Sequence, residues 1–146
     1  PALVFPAALA AQSAGQLDRY EAVSERLAEK QFALMAEEIP GVADVLPETA
    51  WDDEFRAAGA CMVDKLTEAT SPDNVDAMLT ELESIAAQEY DSMQAFNERQ
   101  SRIDSGISTE QAIEFNRECG LVDLVMARME ESGFSAAMQQ QSAPSE

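Results

Sequence analysis

Apolar residues recur at intervals of three and four along most of this chain, and no stretch of useful length alternates strictly. The pattern predicts an all-α protein, an irregular bundle of four main helices. The first covers residues 15–39, with Tyr20, Val23, Leu27 and Leu34 on one stripe and Ala28, Phe32, Met35 and Ile39 on an adjacent one. Pro40-Gly41 ends it. The second, over residues 49–69, follows the Pro47 turn and carries the clearest stripe: Trp51, Phe55, Ala58, Met62, Leu66 and Ala69.

The third spans residues 72–103 with the apolar face Val75, Met78, Leu79, Leu82, Ala86, Met93 and Phe96. At 1.5 Å per residue it would be about 48 Å long. That exceeds the second and fourth helices, so a bend or break is expected near residues 88–92. The fourth covers residues 109–132, its stripe of Ala112, Phe115, Cys119, Val122, Met126 and Met129 passing through Gly120 without a change of register; two shorter helices capped at Gly120 are the alternative. Together residues 12–134 form one domain, and the glutamine-rich residues 135–146 are expected to be a disordered polar tail.

Local chemistry supports several of these ends. Ser71-Pro72 supplies an N-cap followed by a first-turn proline, and Ser108 with Gln111 has capping-box spacing, Ile107 and Ala112 forming the staple. Asp52, Asp53 and Glu54 suit a helix start, where carboxylates meet exposed amides, better than a metal site. The first helix is less favoured. Glu21, Glu25 and Glu29 repel one another at intervals of four, and Glu37 and Glu38 oppose the dipole at its carboxyl end. Tertiary packing must hold it.

Charge and cysteine content add compartment and partner. The 146 residues carry 28 acidic and 9 basic side chains, a formal net charge of −19. Such a surface repels phosphate backbones and anionic headgroups, so neither nucleic acid nor a membrane surface is expected as a partner. The apolar residues 1–11 resemble the latter part of a secretory signal, Ala8-Leu9-Ala10 matching the small-x-small cleavage pattern; otherwise they form an apolar arm docked on the body. Two lone cysteines, Cys61 and Cys119, suit an oxidising compartment, periplasmic or extracellular, in which they pair as a disulfide; the alternative is two buried free thiols acting as small apolar residues. Cys119 lies mid-stripe and Cys61 on the flank of its helix beside Ala57 and Lys65, so the bridge requires the fourth helix to pack on that flank.

Histidine is absent, which removes the Ser-His-Asp triad, histidine-based zinc sites and a histidine base for a cysteine nucleophile. No catalytic residue, metal ligand or cofactor-binding motif is assigned. The leading expectation is therefore a non-enzymatic interaction or structural module, monomeric or homodimeric, that binds another exported protein. The alternative is a carrier of a hydrophobic ligand or copper(I) on helix faces bearing Met62, Met78, Met93, Met126 and Met129. A third is a carboxylate-dependent hydrolase using Glu37/Glu38 or Glu130/Glu131.

Overall fold

The first helical pattern becomes a spine. In the computed structural model, which describes the backbone of residues 6–142 and the side chains of residues 11–142, α1 (Pro6–Glu38) is 33 residues long, about 50 Å. The expected signal remnant or arm over residues 1–11 thus lies partly outside the described residues, and its remainder opens α1. Among the described residues the fold is all-α, as expected, but it has seven α-helices and one 3-10 turn (Ala43–Val45) instead of four main helices.

α2 (Asp53–Ala69) starts four residues later than its apolar pattern predicts, because Asp52 is extended and its carboxylate accepts the Phe55 amide at 2.9 Å. Trp51 therefore precedes the helix while still packing on it. α3 (Pro72–Ala87) begins at the predicted Ser71 cap, and the long third pattern breaks within residues 88–92, where Ser92 caps α4 (Met93–Gln100). Tyr90 fixes this corner: its hydroxyl donates to the Ile85 carbonyl at 3.0 Å and its ring meets Phe96 edge to face. α5 (Thr109–Glu118) carries the full Ser108/Gln111 capping box.

Two expectations are overturned. The fourth pattern is two helices, α5 and α6 (Leu121–Ser132), because Gly120 adopts φ +78° between them. That left-handed conformation suits glycine and cannot continue a right-handed helix. The supposed disordered tail forms α7 (Phe134–Ser142), with Phe134 buried edge to face against Phe32 and Gln141 Nε2 donating to the Pro40 carbonyl at 2.7 Å. Residues 143–146 of that tail lie outside the described residues.

α1 packs along α3 and α2. The core between them holds Val23, Leu66, Val75, Met78, Leu79 and Ala86; a second cluster joins Phe55, Ala58 and Met62 of α2 to Leu121, and a third joins Leu34 to Ile85 and Phe96. Buried Gln16 is satisfied by the Pro72 carbonyl and Asp76, and Arg19 bridges Asp76 and Glu83, so polar contacts also tie α1 to α3.

Four of the five glutamates that disfavour α1 in isolation have partners in the fold. Glu21 pairs with Arg56, Glu25 accepts the Trp51 amide at 2.8 Å, and Glu29 accepts the Thr49 hydroxyl. Glu38 accepts the Met93 amide at 2.8 Å, which places the carboxylate at the positive amino end of α4. A charge unfavourable to one helix is favourable to the next.

Candidate functional site

An open groove of about 420 Å³ lies between α1, residues 47–51 and α6. Its walls follow from how those residues are fastened. Pro47 is buried, and the following non-helical residues pass α1, held by Glu25 and Glu29 on one side and by Arg128 of α6 on the other. Arg128 donates to the carbonyls of Glu48 (3.0 Å) and Ala50 (2.7 Å), lies 3.4 Å from Asp52, and stacks on the Phe55 ring. The Phe55 amide, and secondarily Arg128, hold the Asp52 carboxyl below its ordinary range.

Trp51 forms one wall, its ring edge to face with Tyr20 at 5.5 Å. It reaches that position because Gly59 has no side chain: a Cβ there would collide with the indole. Burial pushes the Tyr20 phenol up to about 12, against a smaller opposing effect of a hydrogen bond with Ser24, so the ring stays neutral at physiological pH. Tyr20 and Ser24 also line a second, apolar cavity of about 260 Å³, bounded by Met62, Leu66 and Leu82.

The opposite wall is the apolar face of α6. The sequence stripe predicts Val122, Met126 and Met129 in the core, but the turn at Gly120 re-aims the helix. Leu121 is buried in their place, while Val122 is 50% and Met126 51% exposed, with Val125 beside them at 39%. All four of Val122, Val125, Met126 and Met129 face the groove. Among the described residues Glu48 is the one carboxylate in its lining.

Cys61 and Cys119 form a disulfide, with Cα atoms 5.6 Å apart. The carboxyl end of α5 does pack on the predicted flank of α2, where Lys65 pairs with Glu118 at 2.5 Å and lies over the Phe115 ring. The Glu118 hydrogen bond raises the Lys65 pKa, and Lys65 reciprocally lowers that of Glu118. The bridge fixes the end of α5 just before the Gly120 turn, and so sets where α6 starts.

Other candidates disperse. Met62 and Met78 are buried, Met93 packs against the Leu34 cluster, and Met126 and Met129 face the groove, so the five methionines do not converge. Glu37, Glu38, Glu130 and Glu131 are exposed, and none lines the groove. Among the described residues no group of three or more acidic or cysteine side chains is placed to hold a metal ion.

The site thus belongs to a disulfide-bonded all-α bundle with a cleft between its spine and a splayed helix. Compared with models of known families, with curated proteins and with solved structures, the chain has no significant match.

Proposed function

We propose that this protein is a non-enzymatic interaction module that binds another exported protein at the groove between α1 and α6. One observation carries the reading: α6 presents Val122, Val125 and Met126 to solvent beside a preformed cleft, on a chain with a net charge of −19. An apolar patch beside a pocket on an otherwise charged surface marks a recognition site. The disulfide suits maturation in an oxidising compartment, and no helix among the described residues is long and apolar enough to cross a membrane.

The test is capture from the native periplasmic or extracellular fraction at low salt with wild type and with a Val122→Asp/Met126→Asp variant. Both positions are exposed, so the variant keeps its fold, which circular dichroism checks. A partner retained by wild type, lost from the variant and weakened by added salt supports the module. Equal capture by both proteins overturns the site.

A second reading, the hydrophobic-ligand carrier, is favoured by the groove's size, which exceeds the roughly 300 Å³ lower range of small-molecule sites. Saturable binding of laurate at the groove, lost in the same variant, would support it.

A further inference from the structure

We propose that the occupant of this groove is an amphipathic α-helix of the partner, bearing lysine or arginine on its flanks, whose apolar side chains enter between Trp51, Met126 and Met129. The inference rests on the interaction-module reading and specifies the chemistry of the partner.

Geometry favours a helix over an extended peptide. The long walls are the helices α1 and α6, whose backbone groups are satisfied internally, so the groove offers no sheet edge to pair with an incoming strand. A bound helix brings its own backbone hydrogen bonds and needs only apolar contacts. The exposed face of α6 from Val122 to Met129 rises about 10 Å, two turns, which matches anchors at i, i+3 or i+4, and i+7.

Charge then selects the partner. Asp123 and Glu130 are both exposed and, seven residues apart, share the flank of α6 beside Met126. Exposed Glu48 lies across the groove, and none of these three is in an ion pair among the described residues. Among the described residues Arg128 is the one cation in the lining, and Asp52 and two carbonyls already engage it. An apolar floor between unpaired carboxylates fits a basic amphipathic helix. A second copy would set the same carboxylates against one another, with −19 on each chain, so self-association is disfavoured.

The chain's single tryptophan is Trp51, so its emission reports occupancy directly. The probe is a synthetic lysine/leucine peptide with leucines at helical spacing, titrated into the full chain beside a scrambled peptide of identical composition. The expected result is a saturable Trp51 shift with gain of peptide helicity, at least about tenfold weaker for the scrambled peptide and for the Val122→Asp/Met126→Asp variant. Equal binding of both peptides, insensitive to the variant, overturns the helix inference. So does laurate occupying the groove while the peptide leaves Trp51 unmoved, which would favour the carrier. If a native partner is captured as above but the peptide does not compete with it, the helix inference fails and the module stands. If the variant captures the partner as well as wild type does, the site itself fails.

Discussion

The guanidinium of Arg128 lies over the ring of Phe55, 3.9 Å from its centroid. This contact joins α6 to α2, and the same group's bonds to the Glu48 and Ala50 carbonyls join both to the groove wall. A largely enclosed cation on an aromatic face contributes about 1–2 kcal/mol, and carbonyls left without their donor add to the loss. Arg128→Leu is expected to destabilise the fold by about 2–4 kcal/mol in urea titration, with Arg128→Lys between. An unchanged midpoint would show that the wall is held without it.

The Cys61–Cys119 bridge closes a segment with a sequence separation of 58. In the chain-entropy account a loop of that length contributes about 4 kcal/mol by restricting the unfolded chain. The Cys61→Ser/Cys119→Ser protein is expected to lose that much stability while retaining its helical spectrum. Equal denaturation midpoints for the oxidised protein and the double variant would contradict this.

Acid should act on the groove wall through Asp52. Its folded pKa lies below the unfolded value of 3.8, so its contribution is fully present above that value and is lost as pH falls through the lower folded one. Glu118 acts in the same sense below 4.5, whereas Lys65, raised above 10.5, contributes at lower pH and loses its contribution as pH rises through the folded value. Asp52→Asn keeps a capping acceptor but does not titrate. Its stability is expected to fall less steeply than that of wild type below about pH 4, measured by denaturation at stepped pH. Parallel curves would remove Asp52 from the account.

Gly59 offers a test whose sign is unusual. Alanine in place of a mid-helix glycine ordinarily stabilises by about 1 kcal/mol. Here the added methyl meets the Trp51 ring, so Gly59→Ala is expected to destabilise and to shift tryptophan emission as the indole leaves its place. Stabilisation with unchanged emission would show that the wall yields freely.

Spacing alone revealed the helices that bury a continuous stripe. Phe55, Ala58, Met62 and Leu66 occupy the core as their periodicity requires, and the Ser71 and Ser108 caps lie where the residue chemistry puts them. Gly120 leaves two readings open, one helix or two, for a physical reason. One left-handed residue ends a helix without disturbing the apolar count on either side, so the stripe continued on paper while α6 turned Val122 and Met126 outward. The groove was hidden by the same fact. A glutamine-rich composition hides α7, although Phe134, Ala137 and Met138 have helical spacing. The pairing of Glu25 with the Trp51 amide depends on two segments meeting across the fold, which one-dimensional spacing does not encode.

The row of glutamates along α1 bears on any attempt to redesign the surface. Glu21, Glu25 and Glu29 look interchangeable in sequence, yet each fastens a different group of residues 49–56, so replacing them to lower the net charge would unpick the groove from behind. Glu37, exposed at the carboxyl end of α1 where it opposes the helix dipole, is where neutralisation should begin.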